Sequence, residues 1–146
     1  ARFTNEERIT SYMCHKVGVG HSDFSSPEAV KVTPSDGVRW QKPVVLLTNR
    51  SSYSATNDFV NAMRQFPLVT VMGDRTGGGS GMPFSSELPN GWSVRFSACP
   101  VYGPEMEHLE FGIEPDIRVD MSSEDMARGF DTIIEAARKY LNEYSR

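Results

Sequence analysis

Pro43-Val44-Val45-Leu46-Leu47-Thr48-Asn49, the stretch Ser54–Phe66, and Leu68-Val69-Thr70-Val71-Met72-Gly73 follow one another with short connections, and together they decide the fold. Residues 44–47 are a continuous apolar run bounded by Pro43 and Asn49, the pattern of a strand buried on both faces. Ala55, Phe59, Val60, Ala62, Met63 and Phe66 then recur at helical spacing, with Pro67 just past the end. Residues 68–72 form a second apolar run that stops at Gly73. Strand, helix, strand predicts a βαβ unit with parallel strands and a right-handed crossover.

Working outward, Phe84–Leu88 and Trp92–Ala98 flank Asn90-Gly91, a strong hairpin signal. Trp92, Val94, Phe96 and Ala98 share one face of the second strand, with Ser93, Arg95 and Ser97 on the other. Ile113–Val119 reads as a last strand. A single helix is expected over about 123–142, capped by Ser122, with Met121 and Met126 as a hydrophobic staple. Its apolar stripe would be Met126, Phe130, Ile133, Ile134, Ala137 and Leu141, and Gly129 inside it costs about 1 kcal/mol against alanine. Upstream, residues 8–18 alternate loosely, and Ala29–Thr33 reads as a short strand stopped by the turn Pro34-Ser35-Asp36-Gly37. The expected fold is α/β: a βαβ core with a mixed sheet, a β-hairpin, and a C-terminal helix packed on the sheet.

At 146 residues the chain fits a single domain. Fifteen Lys and Arg stand against 19 Asp and Glu, a net charge of −4, which argues against nucleic-acid binding. No window approaches the roughly 18 apolar residues of a membrane span. Two cysteines, Cys14 and Cys99, exclude a disulfide-dense scaffold or a cysteine-based zinc module and leave their own pairing open. Ala1-Arg2-Phe3-Thr4 shows no signal-peptide pattern and no initiating Met, so a processed product or a fragment is expected.

Ligands collect at the carboxyl ends of parallel strands. Two loops qualify, Thr48–Ser54 and Gly73–Gly81, and they should be neighbours on one edge. The first is rich in hydroxyls and runs into a helix. The second, Thr76-Gly77-Gly78-Gly79-Ser80-Gly81, has little side chain and should expose many backbone N–H groups. A serine at a helix start is usually a cap, and that is the plain reading of Ser54. The sharper reading is a nucleophile held at a strand-to-helix turn, with the N–H of Ala55 aimed at a developing oxyanion. The α/β-hydrolase elbow G-x-S-x-G is absent. Gly73–Ser80 resembles a phosphate loop, but Gly79 stands in the lysine position and no helix pattern follows, so nucleotide binding is rejected. His15, His21 and His108 lack metal-site spacing, and no metal or cofactor is expected. Asn49-Arg50-Ser51 is a sequon, but it abuts the candidate site. Cys14 reads as a buried small hydrophobe rather than a nucleophile.

The order of parts also resembles a known family. Lys42–Asn49, Ser52-Tyr53-Ser54-Ala55, Val71–Gly78, Leu88-Pro89-Asn90-Gly91 and Gly112-Ile113-Glu114-Pro115-Asp116-Ile117 are similar to segments of the C-terminal processing (tail-specific) serine peptidases, a family that includes the tricorn-type core peptidases and retinoid-binding repeats. The resemblance covers most of residues 40–142. It implies a crotonase-like (ClpP-like) core with Ser54 as nucleophile and the Ala55 N–H as one oxyanion donor. A second donor would come from an upstream D-L-R-x-N-x-G-G segment that this chain lacks, as it lacks the peptide-binding PDZ module. The chain is therefore expected to be the C-terminal portion of a catalytic domain.

The tail-specific branch uses a lysine base, which ungapped counting places at Gly79, and no lysine lies between Lys42 and Lys139. A Ser–Lys dyad is excluded. The tricorn-type branch uses a histidine from an N-terminal segment and a glutamate near the G-[IV]-x-P-D motif. Glu110 is the nearest match, about one residue out of register, against the default of a surface acid; His108 is a weaker substitute base. The implied function is a serine endopeptidase acting on peptides or unfolded protein segments, with its base supplied from outside this chain and the fragment itself inactive. A non-catalytic ligand- or peptide-binding domain is the alternative. By the same resemblance the parent would be periplasmic or exported, and a homo-oligomer is compatible with it.

Overall fold

The computed structural model describes residues 1–144. In chain order the elements are β1 (Arg8–Met13), β2 (Glu28–Val32), β3 (Val44–Thr48), α1 (Ala55–Met63), β4 (Val69–Gly73), β5 (Phe84–Glu87), β6 (Ser93–Phe96), β7 (Val101–Tyr102), β8 (Ile117–Arg118), α2 (Ser123–Ala127) and α3 (Thr132–Tyr144). The βαβ unit forms where the two apolar runs predict it. β3 and β4 pair in parallel, from Val44 opposite Val69 to Thr48 opposite Gly73. β8 adds in parallel on the other side, so the sheet order is β3-β4-β8. As the central strand, β4 buries Val69, Val71 and Met72. β3 lies at the edge, and its Leu47 is left exposed.

The antiparallel pairings do not join this sheet. They form a second sheet of order β2-β1-β7 and the separate hairpin β5-β6, with Phe84 opposite Phe96 and Glu87 opposite Ser93. Among the described residues no sheet is mixed, which corrects the expected single mixed sheet. The last strand is also shorter than expected, because residues 113–116 dock by point contacts rather than by a ladder. Ile113 N–H donates to Thr76 Oγ1 at 2.7 Å, and Val71 N–H donates to Asp116 Oδ2 at 2.7 Å. Pro115 between them has no N–H to offer a ladder.

The inward face of α1 is rotated from the predicted stripe. Val60 and Met63 are buried, but Phe59 is exposed, and Asn57 and Asn61 take the inner positions. Each asparagine is inside because its amide answers a buried carbonyl: Asn57 Nδ2 donates to Leu109 O (3.0 Å) and Asn61 Nδ2 to Thr10 O (2.7 Å). Around them, Val60, Val71, Val101, Leu109 and Ile113 form one core cluster, and Met63, Phe66 and Val69 another. Leu46 packs against both.

The long terminal helix is in fact two. Gly129 has φ +75°, a left-handed conformation that ends α2, and Asp131 starts α3 afresh by accepting from the N–H groups of Ile133 (2.9 Å) and Ile134 (3.0 Å). Gly129 is therefore a helix stop rather than a tolerated interior residue. Ser122 does cap α2, accepting from Asp125 N–H at 3.4 Å. The Met121–Met126 staple does not form a buried contact, since both side chains are exposed. α3 packs on β3 and β4 through the side that carries Ala137, and Tyr140 meets Thr70 at 3.0 Å. Met126, Phe130 and Ile134 of the expected stripe remain exposed.

Candidate active site

The two loops predicted to meet at the strand ends do meet. Tyr53 and Gly78 form a parallel bridge, Ser54 N–H donates to Gly78 O (2.8 Å), and Gly77 N–H donates to Ser52 O (3.0 Å). Arg50 Nε and Asp74 Oδ2, 3.0 Å apart, tie the loop bases together. Hydrogen bonding from Arg50 holds the Asp74 carboxyl below its usual range, helped by the Arg75 amide.

Ser54 is not a cap. It precedes the first residue of α1 with φ +58° and ψ −122°, and its side chain makes no capping hydrogen bond. A non-glycine residue with positive φ at a strand-to-helix turn stores about 1–3 kcal/mol of strain. The turn lifts the half-buried side chain into a cleft of about 400 Å³, where Gly79, Ser80, Arg95 and Glu110 also contribute to the lining. Ala55 follows as the first residue of α1, so its N–H has no intrahelical acceptor. The hydroxyl, the adjoining first-turn amide and the Glu110 carboxylate are thus grouped at one end of the parallel sheet.

Glu110 is an exposed acid tied to the glycine loop. Its backbone carbonyl accepts from Gly79 N–H at 2.9 Å, and its Oε2 accepts from Ser80 N–H at 3.1 Å. The glycine loop is therefore not the open row of donors expected from its sequence. Thr76 N–H is bound to Ile113 O, Gly77 N–H to Ser52 O, Gly79 N–H to Glu110 O and Ser80 N–H to the Glu110 carboxylate. The glycines are needed for close approach: a Cβ on Gly78 would overlap the Glu110 carbonyl oxygen. At Gly79, where φ is +71°, a Cβ would strike the Tyr53 ring. A side chain at that position, where ungapped counting places a lysine base, would require the exposed Tyr53 ring to swing aside and the residue to hold a left-handed backbone.

Several residues of the site carry no motif signal. Asn57 Oδ1 accepts from Thr76 Oγ1 at 2.6 Å, so one buried chain of bonds runs from Leu109 through α1 to the glycine loop and Ile113. Asp58 lies one turn beyond Ser54 and accepts from Ser80 Oγ at 2.9 Å. Only the i, i+3 and i, i+4 positions after Ser54 could have pointed to them. None of the three histidines contributes to the cleft lining. His108 stacks near Tyr102, and His15 Nδ1 lies 3.8 Å from Cys99 Sγ. Both cysteines are free and buried. Among the described residues no group of His, Cys, Asp and Glu could hold a metal ion, and no helix is long and apolar enough to cross a membrane.

Burial raises the Asp58 carboxyl above its usual pKa; the Ser80 hydrogen bond opposes this, and the Glu110 charge adds to it. A raised folded-state pKa contributes stability that is fully present below the unfolded value and is lost as pH rises through the folded one. Asp58→Asn keeps an acceptor for Ser80 and removes the ionisation. Its melting temperature relative to the parent should therefore rise from about pH 3 to about pH 7; a constant or falling difference would contradict the assignment.

A family model for peptidase family S41 matches residues 2–119. This chain belongs to that family. A candidate peptidase from Parabacteroides merdae, known from a crystal structure, is 63% identical; the match covers 96% of this chain and 44% of that one, with a TM-score of 0.90. A candidate tricorn-like protease C-terminal subunit of Sulfurisphaera tokodaii is 32% identical over 111 residues, 70% of this chain and 13% of that protein. The photosystem II D1 C-terminal processing protease shares the fold at 18% identity, with a TM-score of 0.57 over 82% of this chain and 29% of its own. The S41 chain described here spans less than a fifth of the length of the curated relatives it matches.

Proposed function

We propose that this S41 chain is the nucleophile-bearing part of a serine endopeptidase of the C-terminal processing type, built on a crotonase-like scaffold. Ser54 Oγ attacks the scissile carbonyl of a peptide or unfolded segment, and the carbonyl oxygen becomes an oxyanion facing the Ala55 N–H. The resulting acyl-enzyme is hydrolysed by water. A histidine from an upstream segment takes the Ser54 proton and passes it to the leaving amine, and Glu110 orients that imidazole. An upstream glycine amide supplies the second oxyanion donor. The observation that carries this reading is Ser54 itself: a strained, uncapped serine that opens into the cleft it shares with Glu110.

Without an upstream base and second oxyanion donor the 146-residue chain should be nearly inert, since an unactivated serine hydroxyl is a poor nucleophile and a missing oxyanion donor costs about 3–4 kcal/mol. The test is fluorophosphonate labelling read by mass spectrometry. A protein joining this chain to the upstream segments should be labelled at Ser54, and the isolated chain only marginally. Fast labelling of the isolated chain would place the base among its own residues. No labelling of the longer protein would remove the peptidase reading and leave a non-catalytic binding domain.

A further inference from the structure

Arg95 is a charged group in this cleft without a protein partner. Six other arginines, Arg8, Arg50, Arg64, Arg75, Arg118 and Arg138, are in ion pairs. The Arg95 side chain has neither an ion pair nor a hydrogen bond among the described residues, although Glu110 lines the same cleft. It projects from β6 opposite Ser85, on the strand face it shares with Ser93 and Ser97. Ser97 Oγ is already bound to Ser80 O at 2.9 Å, and Ser80 Oγ to Asp58, so these hydroxyls are committed elsewhere. The Glu110 Oε2 atom is likewise occupied by Ser80 N–H. Tyr53, Pro83 and Phe96 line the same cleft and, like Arg95, are exposed; the Phe96 ring, on the opposite strand face from Arg95, packs edge-on against Phe84 at 4.2 Å between centroids.

A guanidinium presents a planar fork of donors that matches a carboxylate bidentately. We propose that Arg95 forms a carboxylate-binding subsite in the Ser54 cleft, so that the peptides it takes carry a carboxylate close to the bond presented to Ser54. Two sources share this chemistry: a free C-terminal α-carboxylate and an internal Asp or Glu side chain. The inference rests on the peptide-binding reading above and narrows its substrate class. Rim charges of this kind act on selection more than on the chemical step.

The test uses the 146-residue chain, titrated by NMR with three acetylated peptides of one apolar sequence: one ending in a free carboxylate, one C-terminally amidated, and one amidated with an internal glutamate. One or both carboxylate peptides should bind about 2- to 5-fold more tightly than the neutral amide. Arg95→Gln should abolish the preference, and Arg95→Lys should restore part of it. Preference for the free terminus assigns the α-carboxylate, and preference for the glutamate peptide assigns the side chain. Equal affinity for all three, no binding, or a preference that survives Arg95→Gln overturns the subsite. Fluorophosphonate labelling of Ser54 in the longer protein is read independently. A labelled Ser54 with no carboxylate preference fails the subsite alone, and a carboxylate preference with an unreactive Ser54 fails the peptidase reading alone.

Discussion

Ser54→Ala, introduced into the longer protein, should lower kcat/KM on an unstructured peptide by about 10⁴-fold or more, since removing a serine nucleophile leaves only positioning and oxyanion binding. The fold should not register the change. Ser54 Oγ caps nothing, so its loss leaves no orphaned partner. Ser54→Gly separates the two effects further. Activity is lost equally, but the +58° backbone is then free of its side-chain penalty, and the protein should gain about 1–2 kcal/mol in denaturant unfolding. A serine that can be removed with a gain in stability is held there against the local preference of the chain. Turnover unchanged in the alanine variant would refute the nucleophile.

Gly78→Ala should be the most damaging single-methyl change in the site. The added carbon would overlap the Glu110 carbonyl oxygen and come within 2.7 Å of Gly112 N. Both are backbone atoms, so neither can swing aside as a side-chain end would. The loop would have to move, and with it the Ser54–Gly78 hydrogen bond and the Tyr53–Gly78 bridge. A loss of about 3–5 kcal/mol is expected from combined strain and overlap. Gly129→Ala is the control. Its φ is +75°, nearly the same as the +76° of Gly78, but nothing lies within 4 Å of the added carbon. That variant should cost only the left-handed penalty of about 1–2 kcal/mol. Urea midpoints distinguish them: equal losses at the two glycines would mean that the approach of Gly78 to Glu110 does not matter to stability.

These contrasts show which features were visible in the residues. The unpartnered cleft arginine, the asparagines inside α1 and the hydrogen-bonded state of the glycine loop were not. Asn57 and Asn61 are polar by type, and only the carbonyls of Leu109 and Thr10 make them interior residues. Gly129 reads as a helix interior by stripe periodicity, whereas Asp131 two residues later could cap a new helix. The stripe misled because Phe130 and Ile134 do not face the sheet that α3 covers. Ser54 was legible as a candidate, but its two readings differ by a dihedral angle that no spacing reveals.

The chain by itself determined the parallel βαβ core, the hairpin and the pair of loops at the strand ends. Each follows from local periodicity, turn chemistry and the short links between apolar runs, which act over a few residues. The tertiary structure alone decided that Ser54 turns outward uncapped, that Glu110 is tied to the glycine loop, and that Arg95 lines their cleft. Those facts depend on polar groups 22 to 52 residues apart satisfying one another, as Ser80 does with Asp58 and Asn57 with Leu109. Burial makes such bonds obligatory, and only the folded chain reveals which partners answer them.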